Sequence, residues 1–130
     1  GDEPVNCPAL NVHLQPLRFM ELALEAPVPA ALLGSTSAII VNLPDPAAYA
    51  VGKLLVAAER TGDGKSKSKK DIAQAAALID YFVQRDPDAI VLMASSTQSR
   101  GPAWRKALNT GMTLLSRDWP GVHHSLKRLL

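Results

Sequence analysis

At 130 residues the chain has the length of one domain with a true core and little left for a second. Its formal net charge of +2 is too small to mark the whole surface as a nucleic-acid binder, so where the cations sit matters more than their sum. Cys7 is the only cysteine, which excludes an intrachain disulfide and a cysteine-based zinc site. Aromatic residues make up only 5%, and Ala and Leu supply most of the apolar mass, which favours helices packed through small side chains. No apolar run approaches the roughly 20 residues of a membrane helix. Gly1-Asp2-Glu3-Pro4 lacks the basic and apolar regions of a signal peptide, so a cytoplasmic location without membrane contact is expected.

Residues 1–15 carry two prolines and no clear period, and read as an extended lead-in with a short strand near Asn11–Leu14. From Pro16, the positions of Leu17, Phe19, Met20, Ala23 and Leu24 predict an amphipathic helix of about ten residues, ended by Pro27 and Pro29. Ala30–Leu33, Gly34-Ser35 and the β-branched run Thr36–Leu43 predict a hairpin with a Gly-first tight turn. Pro44-Asp45-Pro46 then starts a helix to about Arg60, with Asp45 as cap and Pro46 at the first helical position.

Thr61-Gly62-Asp63-Gly64 breaks that helix, and Lys65–Ser68 read as a basic, Ser-rich loop. The stripe Ile72, Ala75, Ala76, Ile79, Phe82, Val83 predicts a third helix ending before Pro87. Asp86-Pro87-Asp88 starts a fourth, with Ile90–Ala94 buried and an interruption at Ser95–Gly101. Pro102–Leu115 forms a fifth. Trp119-Pro120-Gly121 makes a turn before a terminal helix over Val122–Leu130, with Leu126, Leu129 and Leu130 on its apolar side. The fold class expected is mostly α (α+β), a helical bundle-like domain with a small antiparallel β-hairpin.

Lys53 and Arg60 stand seven residues apart, two helical turns, so they share a face with Tyr49 one turn before Lys53. That face is either an anion clamp, with a planar Arg fork and a mobile Lys charge, or an ordinary solvated surface. Ser68 and Asp71 match the Ser-x-x-acid capping pattern, in which Asp71 would be the third helical residue and favour the helix dipole. In the functional alternative Asp71 holds Lys53 or Lys70 in position, or touches a metal or base. Lys70 at a helix start would add its charge to free backbone N–H groups. Lys65, Lys67 and Lys69 read as solvent-exposed, within reach of a phosphate backbone.

His13, His123 and His124 form no ligand pattern, and Cys7 has no basic partner to activate it. Trp104, Arg105 and Trp119 offer either a stacking surface or packing, and packing is the simpler role for both tryptophans.

Leu43-Pro44-Asp45-Pro46, Tyr49 to Ala57 with Lys53, Arg60, and Lys69-Lys70-Asp71 to Leu78 resemble the carboxy-terminal half of a bacterial family of nucleotidyltransferases. That family belongs to the polymerase-β superfamily and is related to abortive-infection and type IV toxin nucleotidyltransferases. The resemblance covers roughly residues 12–115, including Pro16–Phe19 and Arg100–Trp104, and is densest from Pro44 to Leu78.

It implies Mg-dependent transfer of NMP from an NTP to RNA or protein in the intact enzyme. The Gly-Ser motif and metal-binding acidic pair would lie in an amino-terminal catalytic domain. Gly34-Ser35 has no Asp-x-Asp within reach after it and reads as a hairpin turn. Residues 1–130 would then be one domain, the carboxy-terminal part of a larger protein, in which 1–15 lead in, 16–43 form a helix plus hairpin and 44–130 are helical. By resemblance Lys53 is a triphosphate ligand, and Arg60, Lys70 and Asp71 line the nucleotide side. Gly52 stands where the family commonly has His. On this view the chain alone does not turn over NTP, and Mg and NTP are not needed for folding. The competing class is a non-catalytic module whose basic stretch over residues 60–70 contacts RNA or an acidic partner.

Overall fold

The computed structural model describes residues 3–14, 16–60 and 64–130, and these are mostly helical, with six α-helices and two small antiparallel hairpins. β1 (Val5–Cys7) pairs with β2 (Val12–Leu14), Val5 opposite Leu14. A 3-10 turn over Pro8–Leu10 joins them, closed by Asn11 in the left-handed region at φ 52°. The strand expected near Asn11–Leu14 therefore forms, and finds its partner in the lead-in.

The predicted second hairpin forms from β3 (Val28–Leu33) and β4 (Ala38–Leu43), with Val28 opposite Leu43 and Leu33 opposite Ala38. The Gly34 N–H donates to the Ser37 carbonyl at 2.7 Å, which puts Ser35 and Thr36 at the corner. Gly34 does not adopt positive φ, so the turn is tight but not of the Gly-first kind.

The predicted helix from Pro16 is cut to one turn, α1 (Glu21–Leu24). Phe19 stands at φ 65°, which no right-handed helix can pass through. Its ring is buried and meets Trp104 edge-on at 4.6 Å, so long-range aromatic packing overrides the local periodicity. Arg100 secures the end of the same segment by donating to both Glu25 carboxylate oxygens while lying 5.0 Å from the Trp104 ring centre.

α2 (Pro46–Glu59) starts as predicted, with the Asp45 side chain accepting from the Ala48 N–H at 3.0 Å. α4 (Pro87–Ser99) repeats the device through Asp86 and the Ala89 N–H. Between them runs α3 (Lys65–Arg85). The expected break at Thr61–Asp63 lies outside the described residues, and Lys65–Ser68 are helical rather than a loop. Ser68 does not cap: it is buried against α2 and its hydroxyl donates to the Ala57 carbonyl at 3.3 Å. The α3 stripe is as predicted, with Ile72, Ala75, Ala76, Ile79 and Phe82 buried and Val83 packed beside them.

α4 differs in two respects. Only Ile90 and Ala94 of the Ile90–Ala94 run are buried, while Leu92 is 72% exposed, as a one-sided helix requires. The interruption expected at Ser95–Gly101 shrinks to its end: α4 runs to Ser99, and the Thr97 hydroxyl donates to the Met93 carbonyl at 2.8 Å within it. Gly101, at φ 131°, makes the corner into α5 (Pro102–Asp118).

α6 (Pro120–Lys127) begins at the expected turn and buries Leu126. It stops short of Leu129 and Leu130, which are exposed. Trp104 packs as expected, whereas Trp119 remains 45% exposed.

α2 forms the middle of the helical body and packs chiefly on α3 and α5. Alanines 47, 50 and 57 of α2 and 75 and 76 of α3 are buried, and Leu54, Leu55, Ile72, Ile79, Ile90 and Leu115 fill the core. Each such large side chain contributes about 1.5–3 kcal/mol by leaving water. Among the described residues no helix is long and apolar enough to cross a membrane.

Candidate functional site

The Asp45 cap fixes where α2 begins, and its helical period then sets Tyr49, Lys53 and Arg60 along one side. Lys53 Nζ lies 5.1 Å from the centre of the Tyr49 ring, one turn back. Arg60 is the residue at which α2 ends. Across from them, α3 supplies Asp71. Lys53 Nζ donates to Asp71 Oδ1 at 2.9 Å, and Arg60 Nε donates to Asp71 Oδ2 at 2.5 Å.

Exposure separates the roles. The Asp71 side chain is 4% exposed, whereas Lys53 and Arg60 keep 21% and 29%. The carboxylate is sealed behind two cations that still face outward, leaving the trio with one net positive charge.

Burial works against ionisation of Asp71, but the hydrogen bonds and charges of Arg60 and Lys53 outweigh it and hold its carboxyl below the usual value. Burial likewise opposes the Lys53 charge. Its bond to Asp71 and the smaller contribution of Tyr49 overcome this and lift the ammonium above its usual value. Both charged forms are therefore maintained, and the cations are oriented in advance of any ligand.

Tyr49, Lys53 and Arg60 line an open cleft of about 570 Å³ between α2 and the segment from Pro16 to Ala23. Leu17, Met20 and Val56 give it apolar walls. Arg18 reaches Glu59 at 2.6 Å on its rim. The cleft thus joins a charged end to an apolar one.

The sequence reading places Lys53 and Arg60 correctly on one face, and Asp71 does hold Lys53. Asp71 is not the third residue of its helix, however. α3 starts at Lys65, so Asp71 lies well inside it and its partners are on α2 rather than at a helix terminus. Lys70 likewise is not at a helix start: it is exposed along α3 and does not line the cleft. Lys67 and Lys69 are exposed as expected.

Among the described residues no group of three or more His, Cys, Asp and Glu side chains is placed to hold a metal ion. Both Asp71 oxygens are engaged by cations, so these residues do not fit a resident Mg. The apolar walls escaped the sequence reading. Phe19's turn brings Leu17 and Met20 opposite α2, and only the apolar residues themselves hint at it.

A family model described as nucleotidyltransferase matches residues 1–98, which span both hairpins, α2, α3 and nearly all of α4. No curated protein and no solved structure gives a significant match.

Proposed function

The chain belongs to this nucleotidyltransferase family, and on that footing we propose that Lys53 and Arg60 hold the triphosphate of an NTP at the mouth of the cleft. The observation that carries this reading is the sealed Asp71 carboxylate fixing two outward-facing cations. Preset cations meet a triphosphate with little further ordering, and Arg and Lys supply complementary fork and point-charge contacts. Asp71 is a positioning residue.

The reaction served is NMP transfer of the polymerase-β kind to an RNA or protein acceptor. The acceptor hydroxyl oxygen bonds to the α-phosphorus and gives up its proton to solvent, the bond from that phosphorus to the bridging oxygen breaks, and pyrophosphate leaves with the electron pair. This chain's cations offset the charge of the phosphates. On the family resemblance we assign the metal carboxylates to an amino-terminal catalytic unit. The 130-residue chain alone is then expected to bind without turnover. NMP transfer by the purified chain would contradict that assignment.

Calorimetric titration with each NTP, for the unmodified chain and Lys53→Ala, tests the reading. Loss of one charge-assisted phosphate contact should weaken binding about 10- to 100-fold. Equal affinities would refute it. The exposed Lys67, Lys69 and Lys70 provide for the competing RNA-binding role. RNA binding that falls steeply with salt and is indifferent to Lys53→Ala would favour that role.

A further inference from the structure

Past the residues that the family model matches, the charge of the chain changes sign. Residues 99–130 hold Arg100, Arg105, Lys106, Arg117, Lys127 and Arg128 against a single carboxylate, Asp118. The whole chain carries only +2, so residues 1–98 are net acidic. Two of the late cations are neutralised where they stand. Arg100 is bonded to Glu25, and Arg117 to Asp118, whose carboxyl it holds below the usual value. Arg105, Lys106, Lys127 and Arg128 are exposed and make no ion pair among the described residues. Charges that support no partner within the fold are free to meet one outside it.

α6 packs beside α5, and together they wall a second cavity of about 330 Å³. Gln98, Asn109, Thr113, His123 and Lys127 line it with polar groups, while Met112 and Leu126 are among its apolar walls. Among the described residues no carboxylate lines it. Residues 87–130, which supply α4, α5 and α6, are described without a gap, and the lining residues of α2 and α3 lie inside those helices. The free cations border this cavity: Lys127 lines it, Arg128 follows directly, and Lys106 stands one turn before Asn109 on α5.

This combination selects among polyanions. Phosphates alone, or the carboxylates of an acidic peptide, would use the cations and leave the cavity idle. A single strand of RNA uses both, because its unstacked bases can turn away from the backbone into a pocket. The apolar walls suit the faces of a base, and the Gln98 and Asn109 amides carry both donors and acceptors for its edge. Duplex RNA keeps its bases stacked and paired and cannot enter.

We infer that α5, α6 and the cavity they wall bind single-stranded RNA as the acceptor, with its phosphates on Lys106, Lys127 and Arg128 and one base in the cavity. Calling this the acceptor site rests on the transferase reading above, which left RNA and protein both open. The surface lies beyond the matched residues and belongs to this chain's own carboxy-terminal part.

Fluorescence anisotropy of a labelled single-stranded RNA, over a potassium chloride series, tests this in the full chain and two variants. Lys106→Gln/Lys127→Gln/Arg128→Gln should lose about tenfold or more in affinity and reduce the salt slope by about two. Thr113→Leu, which narrows the cavity, should weaken binding about fivefold or more with the slope unchanged. Because all four positions are exposed, each variant should keep its Tm within about 2 °C of the parent. Both should bind ATP, titrated by calorimetry, as the parent does.

Unchanged RNA affinity in the triple variant, or a loss confined to Lys67→Gln/Lys69→Gln/Lys70→Gln, would overturn the inference and leave the triphosphate site standing. Duplex RNA of the same sequence, or a polyglutamate peptide, bound as tightly as the single strand would overturn it too, since neither offers a free base. RNA binding as expected in a chain that binds no ATP would refute the triphosphate reading while supporting the RNA surface.

Discussion

Replacing Gly111 by alanine is expected to destabilise the protein by about 3 kcal/mol. A Cβ at that position would lie 2.5 Å from the carbonyl oxygen of Leu54 and 2.8 Å from its carbonyl carbon and Cβ. These atoms belong to the middle of α2, the helix on which α3 and α5 both pack, so little can move aside. The gain in helix propensity, about 1 kcal/mol, offsets only part of the overlap. Urea unfolding should show a lower midpoint for Gly111→Ala with an unchanged slope. A variant as stable as the parent would mean that α2 and α5 do not approach so closely. Gly52→Ala is the matched control, with stabilisation of about 0.5–1 kcal/mol expected because its Cβ meets no atom of the described residues within 4 Å.

Asp71→Asn should cost about 2–3 kcal/mol at neutral pH, because an amide keeps the shape but turns a donor toward one of two cations. The pH dependence has a definite sign. The folded Asp71 carboxyl titrates below its ordinary value, so its contribution is complete above about pH 3.9 and is lost as pH falls through the lower folded value. Lys53 titrates above its ordinary 10.5, so its contribution is complete below that value and is lost as pH rises through the higher folded one. Denaturant midpoints across this range should show a plateau with both edges in the parent. Asp71→Asn should flatten both, and unaltered edges in the variant would refute the assignment.

Much of the helical frame is legible in short stretches of sequence. Asp45-Pro46 and Asp86-Pro87 announce helix starts because a carboxylate cap and a proline act within one turn. The α3 stripe is legible because burial on one side imposes a helical period. What escapes the sequence depends on distant partners. Phe19 leaves the helical region to pack on Trp104, far along the chain, and so shortens the helix expected from Pro16.

The site divides in the same way. The shared face of Lys53 and Arg60 follows from their spacing along one helix. Asp71 presents a convincing local pattern with Ser68, yet α3 begins earlier than that pattern implies, and both residues turn toward α2. A cap and a buried ion pair use the same residue types, and only the packing of α2 on α3 decides between them.

The most direct measurement is a nuclear magnetic resonance titration of the nitrogen-labelled chain with inorganic tripolyphosphate, following the side-chain signals of Lys53 and Arg60 together with the backbone. Saturable shifts at Lys53 Nζ and Arg60 Nε, lost in Lys53→Ala, are the expected result. Shifts confined to Lys67, Lys69 and Lys70, or no saturable shift, would contradict a triphosphate site at the end of α2.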